Sequence, residues 1–534
     1  MNLRKNELLW IVPLALVLGA GLSSLQPGNW LIGFASFSFL FLLSLIILQF
    51  SYRWATSSSL STGRTLGLIL SLAFALRLLV GVSLYVFLPI YGHEDADDKA
   101  GFVFTDAHRR DDEAWELASS NSPILNAFSQ KFAYDQYGGL LAFSAFVYRY
   151  LSSDAHRPLM LILLSAIVAA LGIPFLWRAV NQIFGEKVVW ASAWIFALYP
   201  ESVLLGASIM REPYLLTFSA MALYGFVFGV SQLAGEDGSK LPDSKVASRI
   251  WLSLGLLGML LVSPAVAIAH LIIFAGWMFF ANEQRTISWK AILVFIIIFF
   301  AGLFFLSASL NRSGEFDASS PLSVVNDWLR LAVKWNAYGI ERDSGWVQKL
   351  FDETPQWMHL PFVAVYGILQ PVLPAALVYP TVPLLKMIYI LRALGWYAML
   401  PLLIMSFGAG AGFGFVKKRN VILWLALLTW TWILLAALRG GGDMWDNPRY
   451  RTILFLWQAI LGGVVWVWWR EMRPVWFMRV VACEAAFLIV FTQWYINRYL
   501  HLGVKLDFPV MVALIVGLWV AIIGLGWWRD RKRV

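Results

Sequence analysis

The chain has 534 residues, of which 60% are hydrophobic and 14% are charged, and its formal net charge is +9. Soluble domains carry about 25% charged residues, so this composition excludes an ordinary soluble enzyme. The basic residues lie at the ends of apolar segments, where a membrane explains them better than a nucleic acid does. The single cysteine, Cys483, excludes a disulfide framework and a thiolate metal site.

Apolar runs long enough to span a bilayer recur from one end of the chain to the other. They predict an all-α polytopic membrane protein in which residues 1–534 form a single domain of about 14 transmembrane helices. The first run follows Arg4 and Lys5 and lacks a small-residue cleavage site, so we expect a retained signal anchor. The predicted spans are roughly 8–23, 30–50, 66–90, 158–178, 188–201, 213–231, 250–264, 266–281, 290–308, 384–407, 420–438, 452–470, 475–495 and 509–528.

The distribution of lysine and arginine predicts the orientation of these spans, because cytoplasmic loops are enriched in both. The basic segment ends all share one side if the N-terminus is cytoplasmic, which makes the C-terminus cytoplasmic as well. Residues 91–157 then form a first extracytoplasmic loop with juxtamembrane helices, and residues 309–383 form a second large one. We expect a re-entrant or lid segment in the second loop, because the prolines between Pro361 and Pro380 break a helical ladder.

The first loop is dominated by the acidic stretch Tyr91–Gln136, and nine of the chain's 32 acidic residues lie between Glu94 and Glu116. Five apolar positions in this stretch share one side of a helix: Ala107, Ala114, Trp115, Leu117 and Ala118. This pattern predicts a helix on the membrane surface with its charges towards water. The alternative is that the acidic residues only keep a surface loop solvated.

Four stretches on the outward side carry the polar residues that chemistry requires. They are Asp106 with Asp111 and Asp112; Tyr199-Pro200-Glu201 with Met210-Arg211-Glu212-Pro213; Glu341-Arg342-Asp343; and Gly440-Gly441-Gly442-Asp443 with Asn447-Pro448-Arg449-Tyr450-Arg451. Carboxylates can take a proton from an acceptor hydroxyl or hold a divalent cation against a phosphate. Arginines can bind phosphate oxygens bidentately and stabilise a departing phosphate. The combination suits a reaction with a lipid phosphate as leaving group.

Two of these assignments have structural alternatives. Arg449 and Arg451 can be interfacial side chains that extend their charges to water. Glu212 begins a span and precedes Pro213, a pattern that also suits the first turn of a helix. If Arg449 and Arg451 both bind one phosphate, the segment around Pro448 must not be helical, because residues two apart on a helix diverge by about 200°.

The order of these stretches resembles the GT-C superfamily of integral-membrane glycosyltransferases. That group includes protein O-mannosyltransferases, lipid A aminoarabinose transferases and the catalytic subunits of oligosaccharyltransferases. The matching features are Asp106-Ala107 before an amphipathic helix, Tyr199-Pro200 before Arg211-Glu212-Pro213, Leu369-Gln370-Pro371-Val372-Leu373-Pro374 after the second loop, and Asn447-Pro448-Arg449-Tyr450-Arg451 entering a late span. Two departures concern Arg110, where bacterial relatives often have tyrosine, and two extra spans before the acidic loop.

The resemblance implies a glycosyltransferase that uses a polyprenyl-phosphate-linked sugar and a glycan, lipid or protein acceptor. It also implies an active site on the extracytoplasmic face, in a bacterial inner membrane. The site residues it implies are Asp106 as general base, Asp111 and Glu212 as further catalytic residues, Asp106 and Glu212 as ligands of a divalent cation (Mg²⁺ or Mn²⁺), and Arg211, Arg449 and Arg451 as donor-phosphate ligands. A shared cation requires the carboxylates of Asp106 and Glu212 to lie within about 10 Å of each other.

Two other functions fit the same composition. An O-antigen polymerase or ligase also combines many spans with a large outer loop and arginines. A lipid-linked saccharide flippase or another transporter would need charged residues deep within its spans and internal pseudo-symmetry. Arg77, Lys386, Arg392 and Glu484 lie within or near spans, but the sequence shows no internal repeat.

Overall fold

The computed structural model describes residues 5–57, 63–129, 131–132, 138–229, 245–281, 345–412 and 419–531. Every regular element in these ranges is helical, which confirms the all-α prediction for them. Eight of the helices are long and apolar enough to cross a membrane, and the number rises to ten if each of two bent pairs is one span. The protein is therefore a polytopic helical membrane protein. Of the spans expected from sequence, 290–308 lies outside the described residues.

The chain divides into two compact units, Met1–Trp328 and Leu329–Val534. The described helices of the first unit are α1 (Lys5–Ser24), α2 (Trp30–Thr56), α3 (Gly63–Tyr91), α4 (Ala96–Lys99), α5 (Thr105–Ser119), α6 (Gly139–Leu151), α7 (Pro158–Phe184), α8 (Glu186–Leu198), α9 (Pro200–Gly206), α10 (Glu212–Gly229), α11 (Lys245–Val262) and α12 (Pro264–Phe280). A short 3₁₀ helix, Ile124–Phe128, lies between α5 and α6.

Helix α7 is the centre of the first unit. It is buried over 83% of its most apolar stretch, and it packs against α2, α3 and α10. A helix that is hydrophobic on all sides has to be buried in this way. Helices α5 and α6 pack on each other, and α6 also contacts α7. The acidic stretch is thereby held on the helical core rather than extended away from it.

The pair α8 and α9 is bent by 55° where Tyr199 precedes Pro200. Because proline has no N–H, the carbonyl of Phe196, four residues earlier, loses its helical donor. The fully buried Arg77 of α3 replaces that donor, since its Nη2 donates to Phe196 O at 3.2 Å and its Nη1 to Ala197 O at 3.0 Å. Irregular backbone at membrane depth requires such internal partners. Arg77, a charged residue within a span, therefore has a structural role.

The described helices of the second unit are α13 (Gly345–Glu353), α14 (Gln356–Leu369), α15 (Leu373–Val378), α16 (Pro383–Ile404), α17 (Ser406–Gly412), α18 (Arg419–Gly440), α19 (Asp446–Thr452), α20 (Phe455–Met472), α21 (Val475–Leu500) and α22 (Phe508–Arg531). Helices α19 and α20 are bent by 74°. The proline-rich part of the expected second loop forms the two short helices α14 and α15. Whether it is a re-entrant lid stays a prediction.

Candidate active site

The amphipathic helix expected in the acidic stretch is α5. Ala107, Ala114, Leu117 and Ala118 are buried, as the sequence predicts. Two charged residues, Arg110 and Asp111, are buried on the same helix, although the sequence pattern predicts that its charges face water. Asp112 follows the prediction, with 62% of its side chain exposed. The solvated-loop alternative therefore holds for Asp112 and fails for Asp111.

One carboxylate oxygen of Asp111 accepts a hydrogen bond and the other lies beside an imidazole, and the side chain is 0% exposed. The hydroxyl of Tyr148, on α6, donates to Oδ1. Nε2 of His156, in the loop between α6 and α7, lies 2.8 Å from Oδ2. A buried carboxylate requires such partners, because an unpaired charge away from water is strongly unfavourable. Burial, and then the charge of Asp111, raise the pKa of the Tyr148 hydroxyl, so this group remains a donor at neutral pH.

Helix α6 is fixed against the end of α5 by Arg149. Its guanidinium donates to the carbonyls of Leu117, Ala118, Ser120 and Ser122 at 2.5–3.1 Å. The last carbonyls of a helix have no partner within the helix, and a cation placed there also suits the helix dipole. Arg149 therefore sets the position of α6, which carries Tyr148, relative to α5, which carries Asp111.

The loop that carries His156 is held by an ion pair between its neighbours. Arg157 is 1% exposed, and its two Nη atoms donate to the two oxygens of Asp154 at 2.6 and 2.7 Å. Asp154 also accepts from the backbone N–H of Asn29, which joins this loop to the connection between α1 and α2. The hydrogen bonds from Arg157 lower the pKa of Asp154 to about 2. The ion pair is consequently complete at neutral pH and is lost only as the pH falls towards that value.

Aromatic rings complete the surroundings of Asp111. The rings of Trp115 and His156 stack with their centroids 5.3 Å apart and their planes 18° apart. Tyr148 meets the same imidazole edge-on, at 5.1 Å and 79°. These contacts hold the imidazole in one orientation. The side chain of His156 retains 27% exposure, so the carboxylate is enclosed while the imidazole reaches the surface.

The second outward stretch of this unit meets α5 through Arg110. Its Nη1 donates to the carbonyl of Ile209 at 3.0 Å, three residues before Glu212. Glu212 is 0% exposed and is the first residue of α10, as expected of an acidic helix start. Nε of Arg211 lies 3.7 Å from Oε1 of Glu212. The structure thus brings the segment before Glu212 against the helix of Asp111, and Arg110 makes the contact.

Asp106 lies near the start of α5 and is less enclosed than Asp111. Its side chain is 36% exposed, and its Oδ1 accepts from Nη2 of Arg109 at 3.2 Å. The neighbouring face of α5 borders an open groove of about 610 Å³ whose lining includes Asp97, His108 and Asp112. In that groove His108 pairs with Asp97 at 2.7 Å. The assignment of Asp106 as general base stays a prediction.

The expected divalent cation needs a set of oxygen or nitrogen ligands around one point. Within the described ranges, no three His, Cys, Asp or Glu side chains are arranged to hold a metal ion. The residues seen around Asp106 and Glu212 therefore do not form a recognisable metal site. A cation shared by these two carboxylates stays a prediction.

In the second unit, Arg449 and Arg451 lie on α19, and both are buried. Nη1 of Arg449 is 3.3 Å from Oδ1 of Asp446, which is 43% exposed. The guanidinium of Arg451 lies 3.3 Å from the ring centroid of Trp396, and its Nη1 donates to Ile368 O at 3.4 Å. The two side chains thus have different surroundings.

One expectation about this segment is wrong. A single phosphate bound by Arg449 and Arg451 requires an irregular backbone around Pro448, yet Asp446–Thr452 is α-helical. Pro448 is tolerated there because the N–H groups of a first helical turn have no partner in the helix. Residues two apart on a helix diverge by about 200°, so this helical backbone does not favour one anion held by both guanidinium groups. Each remains a separate candidate for binding the donor phosphate.

The sequence did not single out Tyr148, Arg149 or His156. For His156, the sequence offered one clue: a titratable histidine directly before Arg157 and the apolar run of α7. The third outward stretch, Glu341-Arg342-Asp343, lies outside the described residues.

Comparisons with known proteins give a distant likeness. No protein-family profile and no curated protein sequence matches the chain. Among solved structures, the chain is similar to the archaeal oligosaccharyltransferase AglB from Archaeoglobus fulgidus, in complex with an inhibitory peptide and a dolichol-phosphate. The TM-score is 0.37 and the sequence identity is 15%, over 84% of this chain and 54% of that one. The chain thus spans about half the length of AglB.

Proposed function

We propose that the protein is a membrane-embedded glycosyltransferase. It moves a sugar from a polyprenyl-phosphate-linked donor to a hydroxyl group of a glycan, lipid or protein acceptor. The observation that supports this function best is a pair of fully buried carboxylates, Asp111 and Glu212, in one unit of a helical membrane protein. Each lies beside a cation, Arg110 or Arg211, in the chain.

Charged groups buried away from water are energetically costly, which makes them candidates for a functional site. The reaction requires two kinds of group. A base takes the proton of the acceptor hydroxyl as its oxygen bonds to the anomeric carbon. Cations stabilise the lipid phosphate, which departs with the electrons of the broken carbon–oxygen bond. Asp111 and the side chains in contact with it are proposed to supply the base, and Arg211, Arg449 and Arg451 are proposed as the cations.

One charged residue within the spans bears on the transporter alternative. A flippase or another transporter would use charges deep in its spans. Arg77 is such a charge, but it is hydrogen-bonded to the carbonyls at the bend after α8 and to Ser202 Oγ at 3.0 Å. That arrangement stabilises a broken helix, so it does not favour transport.

A transfer assay tests this function directly. We expect the purified protein, reconstituted in liposomes, to act on at least one of a panel of radiolabelled polyprenyl-phosphate sugars when envelope glycans, lipids or proteins are added. Each label incorporated into an acceptor should release one polyprenyl phosphate, because one carbon–oxygen bond replaces another. A protein that only moves intact donor between leaflets is a transporter. One that only joins preassembled oligosaccharides is a polymerase or ligase.

The proposed location of the site is the extracytoplasmic face of a bacterial inner membrane, with both chain termini in the cytoplasm. We expect a cysteine at Glu94, an exposed residue of the acidic stretch, to react with a membrane-impermeant maleimide in intact cells of a Cys483→Ser strain. A matched cysteine at Glu471, at the end of α20, should react only after lysis. The reverse pattern would place the acidic stretch in the cytoplasm and refute this orientation.

A further inference from the structure

We propose that His156 is the general base of the sugar transfer and that Asp111 is the residue that positions it. This inference rests on the proposed function and deepens it, because it assigns the proton transfer to a named atom, His156 Nδ1. It depends on geometry in the first unit alone, where the imidazole, the carboxylate and the phenol of Tyr148 are in contact.

Burial decides which of the paired groups can meet a substrate. Asp111 is 0% exposed, and Tyr148 and His156 together face both of its oxygens. No acceptor hydroxyl can approach a carboxylate enclosed in this way without displacing a partner. His156 is 27% exposed and therefore is the member of the set that an acceptor can reach.

The pairing also fixes which ring nitrogen is basic. Oδ2 of Asp111 lies 2.8 Å from Nε2, although the pair does not have hydrogen-bond geometry. The nearby negative charge favours the tautomer with the hydrogen on Nε2, which leaves the lone pair of the neutral imidazole on Nδ1. Within the described ranges, Nδ1 has no hydrogen-bond partner, which leaves it available to an incoming hydroxyl. Trp115 stacks on the ring and limits its rotation. A buried aspartate plays the same two roles towards the catalytic histidine of serine proteases, where it sets the tautomer and stabilises the imidazolium.

The step balances without a further reactant. As the acceptor oxygen bonds to the anomeric carbon, its proton moves to His156 Nδ1 and the bond from that carbon to the phosphate oxygen breaks. The departing lipid phosphate keeps the electron pair. The imidazolium formed next to Asp111 then returns its proton to phosphate or to water.

Two variants of His156 and a matched pair of controls test the assignment. We expect His156→Gln and His156→Ala to reduce transfer at least about a hundredfold, which is the lower range for the loss of a general base. Added imidazole should restore transfer to His156→Ala in a saturable manner. His108 is a suitable control because it also pairs with an aspartate of the acidic stretch, Asp97, at 2.7 Å. His108→Ala should retain transfer and show no response to imidazole.

A second measurement does not depend on activity. The chain has six histidines, so the ¹⁵N signals of His156 can be assigned by difference from His156→Gln. We expect the neutral ring to carry its hydrogen on Nε2 in the wild-type protein and to lose that preference in Asp111→Asn. Wild-type transfer rates in both His156 variants, or a neutral ring protonated on Nδ1, would overturn the assignment. An inactive wild-type protein with the expected tautomer would instead overturn the glycosyltransferase function.

Discussion

Replacing Asp111 by asparagine is expected to lower sugar transfer at least about a hundredfold, whereas Asp106→Asn is expected to lower it less than about tenfold. The reason is the different surroundings of the two carboxylates on α5. Asp111 is fully buried and faces Tyr148 and His156, so asparagine removes the charge that orients and stabilises an imidazolium. Asp106 is 36% exposed and pairs with Arg109, where water can take over its role.

The measurement is the initial rate of label transfer at saturating donor and acceptor, with the thermal midpoint of each purified variant as a check on folding. Asp112→Asn is the matched control, because Asp112 is the next residue in the chain and is 62% exposed. It should behave as the wild-type protein does. If Asp106→Asn abolishes transfer while Asp111→Asn leaves it intact, the base is the residue implied by the family resemblance, and Asp111 serves only packing.

The sequence contains more information about Asp111 than its charge pattern suggests. Ala107, Asp111, Ala114 and Ala118 are spaced by four, three and four residues, which is one stripe of a helix. An acid in the middle of an alanine stripe is a candidate for burial. Its partners are not predictable in the same way, because Tyr148 comes from a different helix and His156 from the loop after it. Only the tertiary structure brings them together.

The positions of the last two long helices follow from hydrophobic runs, because the backbone groups of each apolar run must be hydrogen-bonded within its own helix. The described residues hold eight to ten candidate spans, compared with about 14 predicted for the whole chain. The predicted spans 475–495 and 509–528 correspond to Val475–Leu500 and Phe508–Arg531. The bends are harder to predict. Pro200 gives a signal for one, but the 74° bend before Phe455 contains no proline. At this bend, Gln458 Nε2 donates to the carbonyl of Arg451 at 2.9 Å. The clue to the bend in the sequence was therefore a single amide side chain within an apolar run.

The two arginines of α19 are expected to respond differently to substitution by lysine. Arg451 packs on Trp396 and donates to a backbone carbonyl, so Arg451→Lys should lower the thermal midpoint of the protein. Lysine lacks the planar guanidinium that such a stacked contact requires. Arg449 lies beside the partly exposed Asp446 and farther from a ring, 5.1 Å from that of Tyr450, so Arg449→Lys should lower the midpoint less than Arg451→Lys does.

For the donor, Arg449→Lys is expected to raise the KM at least about tenfold, because one hydrogen bond to a charged group contributes about 1.5–3 kcal/mol. Donor titrations at saturating acceptor measure this change. Arg479→Lys is the matched control, since Arg479 is a buried arginine of the same unit that pairs with Asp530 at 2.7 Å. An unchanged KM in Arg449→Lys would make Arg449 a structural anchor. The donor phosphate would then require another cation, and Arg211, beside the buried Glu212, is the next residue to test.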